Sequence, residues 1–429
     1  METHQEVSIV GGSIWGNRGA EAMLVTTIAQ IRKVAPNTVF NVYTIYPDRD
    51  PVLVSDEKIR FLSGKPLAFG LRYFPLALLH KLLALVGVRL PLPESLGHMK
   101  ASCCLLDMGG ITFSDGRTLQ LLYNVFSIWP AMLLDVPVVK LSQAMGPFEQ
   151  PINHILARHF LPKCDRVFAR GEITAEHLRT LNLHRDKYDR AADIAFLYQP
   201  EDSLSEENED KLAELAAKLD QRRQSGIGLV SIIPSSLVFD RSAGEAGDYA
   251  AKLLAIIAAV CREGNQVVVL PNASRASSGK VMNNDLIVID ALRERAARDL
   301  PWEILEKLHW VDFDINARGI RTLVGKTDAL VTSRFHGMVA GLSLCVPTMV
   351  IGWSHKYRET LADFGMDGYA INYEAGVDQI LALFRGFWQD REQIKSQLEK
   401  EITAVRASAS VQFEDLCERR IDGGSTGKI

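Results

Sequence analysis

Arg334 and His336 stand one residue apart in SRFHG, residues 333–337, and this pair suggests the most definite chemistry in the sequence. The run ALVTS precedes it and the apolar run GMVAGLSLC follows, so the pattern predicts a strand leading directly into a helix. A helix N-terminus favours an anion, an arginine fork binds phosphate or carboxylate, and a histidine can donate a proton. A histidine that only caps the helix is the alternative, and the nearby Lys356 argues against it.

Other polar turns follow β-rich runs in the same way, among them DMGGITFSDG, SQAMGP, ARGEIT and LPNASR. Each turn also has a structural explanation, such as a tight glycine turn, a surface arginine, or Asp115 capping a helix over residues 117–134. Together these turns and the first glycine turn supply the candidate substrate-binding residues, which are Asn17, Arg18, Gly109, Gly110, Gln143, Arg170, Asn272 and Lys356.

The first glycine turn, SIVGGSIWGNRGAEAM at residues 8–23, matches neither common nucleotide pattern. Gly11 and Gly12 are adjacent, so the G-x-G-x-x-G dinucleotide fingerprint is absent. The stretch continues as Gly19-Ala20-Glu21 where a P-loop would need G-K-[ST]. It therefore gives no support for a nucleotide phosphate at this turn.

The elements that position these turns alternate between strands and helices. Short β-rich runs such as EVSIVGG, VPVVKLSQAMG, IGLVSIIP and VPTMVIGW are separated by helical stretches, which predicts parallel sheets flanked by helices. The expected fold is α/β, with two Rossmann-like domains that face a cleft. Ligands of such sheets collect beyond the carboxyl ends of the strands.

The domain boundaries follow from composition. Residues 1–200 form an N-terminal Rossmann-like domain with an apolar insertion at 66–93, and the charged stretch 201–225 is a linker and helix. Residues 226–375 form a C-terminal Rossmann-like domain. We expect residues 376–429 to form a C-terminal helix and a flexible tail.

Composition excludes several classes of protein. The formal net charge of -4 argues against nucleic-acid binding, and the six cysteines form no C-x-x-C pair or metal pattern, so we expect reduced thiols and no metal. The acidic start METHQE is unlike a signal peptide, which predicts a cytoplasmic protein.

The segment PLAFGLRYFPLALLHKLLALVGVRLPLP, residues 66–93, is strongly apolar but interrupted by basic residues and prolines. Its uninterrupted apolar runs are too short to span a bilayer. Two interpretations remain: a helical hairpin packed on its own domain, or a surface helix in the lipid headgroup region at the inner face of the membrane.

Six of these turns, in this order, resemble the polysaccharide pyruvyl transferase family. They are GNRGAEAM, MGGITFSDG, SQAMGPF, ARGEITAEHL, VTSRFHGMVAGLSLCVPTMVI and SHKYRETLADFG, from about residue 8 to about residue 370. The resemblance implies a fold similar to that of the B-type glycosyltransferases. It also implies transfer of a pyruvyl group from phosphoenolpyruvate to sugar hydroxyls of a cell-surface polysaccharide or its lipid-linked precursor, forming a ketal.

The resemblance also implies roles for single residues. His336 would be the general acid, Arg334 and Lys356 the basic groups around phosphoenolpyruvate, and Asp115 the group that orients or deprotonates the acceptor hydroxyl. The C-terminal domain would hold phosphoenolpyruvate and the N-terminal domain the acceptor. Phosphoenolpyruvate is a co-substrate, and no cofactor is implied.

Two other functions fit parts of the sequence. A nucleotide-sugar-dependent glycosyltransferase would share the fold, but such enzymes commonly place a glutamate on the donor helix, and residues 336–347 contain no acidic residue. A non-catalytic glycan-binding relative would be expected to lose Arg334 or His336, and both are present.

Overall fold

The computed structural model describes residues 5–204, 209–242, 248–275 and 283–421. Its contacts divide the chain into two compact units. Unit 1 comprises Met1–Trp15, Met23–Leu204 and Arg406–Ile429, and unit 2 comprises Gly16–Ala22 and Ser205–Val405. The predicted tail at 422–429 lies outside the described residues.

Unit 1 contains an eight-stranded sheet in which every pair of neighbouring strands is parallel. The strand order is β3-β2-β1-β4-β6-β7-β8, with β5 paired to β6. The strands are β1 Glu6–Val10, β2 Val39–Thr44, β3 Ile59–Ser63, β4 Leu105–Asp107, β5 Ile111–Ser114, β6 Val138–Gly146, β7 Arg166–Ala169 and β8 Tyr188–Arg190.

Unit 2 contains a six-stranded parallel sheet in the order β11-β10-β9-β12-β13-β14. This order is the doubly wound one, in which the direction of winding reverses between the first strand and the fourth. The strands are β9 Leu229–Ile233, β10 Gln266–Val269, β11 Leu308–Trp310, β12 Ala329–Thr332, β13 Thr348–Gly352 and β14 Ala370–Asn372. The prediction of two α/β halves with parallel sheets is confirmed.

Helices connect the strands in both units. From the N-terminus to the middle of the chain they are α1 Arg18–Val34, α2 Pro66–Ala68, α3 Phe74–Leu85, α4 Glu94–Ala101, α5 Thr118–Leu133, α6 Pro151–Phe160, α7 Glu172–Thr180 and α8 Glu209–Gln224. The remaining helices are α9 Ser236–Ser242, α10 Tyr249–Arg262, α11 Asp285–Asp299, α12 Trp302–Leu305, α13 Ala317–Val324, α14 Phe335–Ser343, α15 His355–Ala362, α16 Val377–Gln389 and α17 Arg391–Leu416.

The core of each unit lies between its sheet and the covering helices. Strands β9, β10, β12 and β13 are buried along their whole length, which is typical of parallel strands covered on both faces. Helix α14 packs closely on this sheet at two glycines. A Cβ at Gly337 would lie 2.7 Å from Oγ1 of Thr332, and one at Gly341 would lie 2.7 Å from Cδ2 of Leu330. The strand end before α14 is therefore held firmly.

The apolar insertion forms one continuous helical stretch, Pro66–Leu85, in which α2 and α3 are joined by a π-helical turn at Phe69–Tyr73. By length and composition it could cross a membrane, with a mean hydropathy of 1.3 over its 18-residue window and 17% of that window buried. The helix therefore runs through the basic residues and Pro75, which interrupt the apolar runs of the sequence.

Candidate functional site

The predicted site residues fall into two groups, one in each unit. Unit 2 holds Arg334, His336, Lys356 and Asn272, together with Asn17 and Arg18 at the start of α1. Unit 1 holds Gly109, Gly110, Asp115, Gln143 and Arg170.

Arg334 lies at the N-cap of α14, directly after β12, and its guanidinium is bound by the buried carboxylate of Asp285. Nε of Arg334 lies 3.1 and 3.0 Å from the two carboxylate oxygens of Asp285. Nη2 of Arg334 donates to the same carboxylate and, at 2.9 Å, to Oγ of Ser236. Asp285 is completely buried, whereas the Arg334 side chain is 14% exposed. The ion pair therefore fixes the plane of the guanidinium.

Asp285 also organises the loops around Arg334. Its carboxylate accepts the backbone N–H groups of Ser236 at 2.9 Å, Asn272 at 3.2 Å and Ala273 at 2.9 Å. These residues follow β9 and β10, and Arg334 follows β12. One buried carboxylate thus connects the ends of three neighbouring strands, and Asn272 takes part through its backbone.

His336 lies in the first turn of α14 and packs against Gly19 in the first turn of α1. A Cβ at residue 19 would lie 2.7 Å from Cβ of His336 and closer still to the ring. The φ of Gly19 is outside the left-handed region, so glycine is required here for space alone. Nothing larger than glycine fits beneath this imidazole.

Phe335 connects His336 and Lys356. Its ring makes an edge contact with the His336 ring at 5.3 Å between centroids, and Nζ of Lys356 lies 4.9 Å from the Phe335 centroid. Lys356 also lies 5.3 Å from the ring of Tyr357, whose hydroxyl donates to the Ser333 carbonyl at 3.1 Å. The structure therefore brings Arg334, His336 and Lys356 together around the start of α14.

Asn17 and Arg18 interact with protein groups at the start of α1. The Asn17 side chain accepts N–H groups of the first turn, and Arg18 forms ion pairs with Glu21 at 3.0 Å and Asp314 at 2.5 Å. Burial alone would lower the pKa of the Arg18 guanidinium, but the two carboxylates raise it above its ordinary value. The Arg18 backbone N–H donates to the Asn272 carbonyl at 3.2 Å, so these two predicted residues are adjacent.

In unit 1, Arg170 holds the Gly109-Gly110 turn by a hydrogen bond to its backbone. Its guanidinium donates to Asp193 at 2.7 Å and to the Gly110 carbonyl at 2.9 Å, and both members of this ion pair are buried. Its backbone N–H donates to the Gln143 carbonyl at 2.9 Å. Four predicted residues therefore meet at the ends of neighbouring strands.

A second buried ion pair joins Lys140 on β6 to Asp107, the last residue of β4, just before the same turn. Asp107 also accepts the Gly109 N–H at 3.0 Å, while its carbonyl accepts from the Gln143 side chain at 2.5 Å. Gly11 comes so close that a Cβ there would lie 2.6 Å from the Gly109 nitrogen. The first glycine turn thus serves close packing against the second.

Asp115 lies apart from this arrangement, at the start of α6. Its carboxylate accepts the N–H groups of Glu149 at 2.7 Å and Gln150 at 3.1 Å and the side chain of Asn153 at 2.7 Å. The structure corrects the suggestion that Asp115 caps the helix over 117–134, because its carboxylate binds the chain just before α6 and the side chain of Asn153. Its part in catalysis stays a prediction.

Sequence reasoning missed the charged partners Asp285, Asp193, Asp107 and Lys140. A lysine inside the apolar run VPVVKL was a usable signal, since an unpaired charge is not tolerated there. Within the described ranges, no group of three or more His, Cys, Asp or Glu side chains could hold a metal ion.

Several solved structures share this architecture. S. aureus MnaA with UDP is 9% identical, covering 99% of this chain and 100% of its own, with a TM-score of 0.59. The Neisseria meningitidis UDP-GlcNAc 2-epimerase bound to UDP-GlcNAc is 12% identical, covering 97% and 100%, with a TM-score of 0.55. Medicago truncatula UGT71G1 with UDP-glucose is 10% identical, covering 97% and 98%, with a TM-score of 0.54. The chain has the fold of B-type glycosyltransferases and UDP-GlcNAc 2-epimerases.

Within that class, the sequence profile of the polysaccharide pyruvyl transferases matches residues 17–355. The chain belongs to this family, as the six ordered turns predicted. Membership implies transferase activity with a sugar or polysaccharide acceptor.

Proposed function

We propose that the protein transfers the pyruvyl group of phosphoenolpyruvate to sugar hydroxyls of a cell-surface polysaccharide or its lipid-linked precursor, forming a ketal. The observation that carries this proposal is the grouping of Arg334, His336 and Lys356 at the start of α14. The reaction would take place in the cytoplasm or at the inner face of the membrane.

This grouping suits a small molecule with a carboxylate and a phosphate. Arg334 is held in a fixed plane by Asp285, and Lys356 adds a second positive charge at the same helix end. The dipole of α14 attracts negative charge to its N-terminus. Because preorganised donors stabilise charge that moves during reaction, these groups can also assist departure of phosphate.

His336 supplies the proton in the proposed mechanism. As general acid, it passes a proton to C3 of the enol phosphate. Positive charge then develops at C2. The oxygen of one sugar hydroxyl bonds to C2 and loses its proton, and the C2–O bond to phosphate breaks with its electron pair leaving on phosphate. A second hydroxyl bonds to C2, gives its proton to the imidazole of His336, which lost one in the first step, and closes the ketal.

The composition of α14 favours this donor over a nucleotide sugar. The structures that share the fold were solved with UDP or UDP-sugars, which is a property of those proteins. Residues 336–347 of this chain contain no carboxylate that could accept hydrogen bonds from ribose hydroxyls. A donor without ribose fits such a helix better.

Unit 1 would then supply the acceptor side through the turn at Gly109-Gly110 and the side chains of Gln143 and Arg170. These groups lie at the carboxyl ends of β4, β6 and β7, where ligands of parallel sheets bind. We extend the proposal to Asp115, which would orient or deprotonate an acceptor hydroxyl.

Phosphate release from phosphoenolpyruvate tests the proposal. The wild type is assayed with galactosides, glucosides and mannosides, beside His336→Ala and the exposed control His159→Ala. We expect release that depends on one sugar class, is abolished by His336→Ala and is unchanged in His159→Ala. No release with any sugar, together with thermal stabilisation by a uridine or guanosine diphosphate, would instead support a glycosyltransferase. A chain stabilised by neither ligand would be a non-catalytic relative.

A further inference from the structure

The helical stretch Pro66–Leu85 presents a row of leucines to solvent. Leu67, Leu71, Leu78, Leu82 and Leu85 follow one another at intervals of three, four or seven residues, and their exposed fractions are 72%, 75%, 36%, 53% and 75%. Such spacing places them on one face of the helix. Large contiguous apolar patches on a protein surface mark interaction sites.

The opposite face holds the helix onto unit 1. Phe69, Tyr73 and Ala77 are buried, and Phe69 contacts Tyr43 at 5.9 Å and Tyr123 at 6.2 Å between ring centroids. Withdrawing the helix to span a bilayer would remove Phe69 from Tyr43 and Tyr123 and leave those two side chains uncovered. The leucine row therefore faces outward while the helix stays packed on its unit.

Two helices of the same unit carry further exposed apolar residues. Helix α5 packs on α3 through Phe74 and Trp129, whose centroids lie 4.4 Å apart, and it exposes 81% of Leu119. Helix α6 packs on α5 through Trp129 and Phe160 and exposes 57% of Ile152 and 64% of Ile155.

The charge of this region is opposite to that of the chain. Residues 65–100 contain five basic residues and one acidic residue, Glu94, a formal charge of +4, whereas the whole chain carries -4. Lys65 and Lys81 pair with Asp48 and Asp135. Arg72 and Arg89 are exposed and make no ion pair with other described residues. Positive charge is thus concentrated beside the leucine row.

We propose that this face docks onto an anionic lipid surface, with the helix lying in the headgroup region and its leucines reaching the acyl chains. An apolar stripe with basic neighbours is the pattern of helices that bind such surfaces. A second copy of the chain is a poorer occupant, because a two-fold interface would bring like positive charges together. The proposal does not depend on the reaction proposed above.

Vesicle flotation of the full chain tests this docking. One set of vesicles contains phosphatidylglycerol and phosphatidylcholine, and the other contains phosphatidylcholine alone. We expect binding to the anionic vesicles that weakens as salt rises. The triple variant Leu71→Gln/Leu82→Gln/Leu85→Gln should bind at least about tenfold less tightly. The matched controls Val52→Gln and Trp302→Gln change exposed apolar residues elsewhere and should bind like the wild type.

Charge reversal separates the two contributions. Arg72→Glu/Arg89→Glu should weaken binding to anionic vesicles by about tenfold or more and leave the thermal midpoint unchanged. Equal binding of the wild type and the triple variant would overturn the proposal, and so would wild-type binding that resists alkaline carbonate extraction. If the wild type self-associates without binding vesicles, and the triple leucine variant no longer self-associates, the face would instead bind a second copy of the chain.

Discussion

Gly19 and His336 lie so close together that a methyl group at residue 19 would overlap the imidazole ring. The contact places the proposed acid directly over the first turn of another helix. A displacement of about 1 Å in a catalytic group can cost about a hundredfold in rate, so this contact is expected to control activity.

Gly19→Ala should therefore lower kcat for phosphate release by about ten- to a hundredfold, because the ring must move while the backbone at residue 19 accommodates alanine. Steady-state kinetics with phosphoenolpyruvate measure the loss. Gly386→Ala is the control, since no atom lies within 4 Å of its added Cβ. Adding Gly19→Ala to His336→Ala should cause no further loss, because the contact is already removed, and a further loss of about ten- to a hundredfold there would argue against a shared cause.

Asp285→Asn should weaken both stability and binding of phosphoenolpyruvate. The substitution leaves the guanidinium of Arg334 without its buried counter-charge, which is expected to cost about 3–5 kcal/mol in the free energy of unfolding. Urea denaturation measures that loss, and KM for phosphoenolpyruvate should rise because the arginine plane is no longer fixed. Asp290→Asn changes an exposed acid of the same helix and should leave KM unchanged. An unaltered KM in Asp285→Asn would mean that the ion pair does not contribute to binding of the donor.

Arg170→Ala should lower the free energy of unfolding by about 3–5 kcal/mol, because it leaves the buried Asp193 carboxylate unpaired. Arg170→Met/Asp193→Asn, which removes both charges, should lose less than the sum of the single changes. Arg179→Ala breaks an exposed pair with Glu172 and should barely move the urea midpoint. Additive losses for Arg170 and Asp193 would mean that the pair is not coupled energetically.

His309 makes the free energy of unfolding depend on pH in the acid range. Burial, with smaller contributions from Lys218 and Arg222, lowers its pKa from 6.5 to about 4, and the ring bonds Gln266 at 2.7 Å. Between these values the unfolded chain binds the extra proton, so stability falls as pH drops below 6.5 and the loss is complete near pH 4. The expected loss from this group is about 3 kcal/mol.

Urea denaturation between pH 7 and pH 4 measures this dependence. In His309→Gln the decline should be shallower, whereas the exposed control His184→Gln should follow the wild type. The same decline in His309→Gln as in the wild type would assign the acid sensitivity to other groups.

The sequence predicted the elements and turns better than it predicted the partners of the site residues. Runs such as VPVVKLSQAMG are strongly apolar because they are buried on both faces, and they were found. The strands β3, β5 and β14 were missed because they are short and only partly buried, so their residues form no long apolar run. Short, partly buried strands give a weak signal for this physical reason.

The ion pairs of the site were missed because sheet order, and not spacing in the chain, brings their members together. Arg334 and Asp285 are separated by 49 residues, and Lys140 and Asp107 by 33. Nothing local distinguishes Asp285 from an acid placed to favour the first turn of α11. The resemblance predicts which residues face the ligand, and the structure shows which groups bind the side chains of Arg334 and Arg170.

The hydrogen bonds of Asp285 have a consequence for how this part of unit 2 tolerates change. Because one carboxylate binds the loops after β9 and β10 and the arginine after β12, a change in that carboxylate acts on all three segments at once. Substitutions at this point should therefore act in an all-or-none manner, disordering three strand ends together. The proposed phosphoenolpyruvate side would then tolerate variation along each loop better than the loss of this one acid.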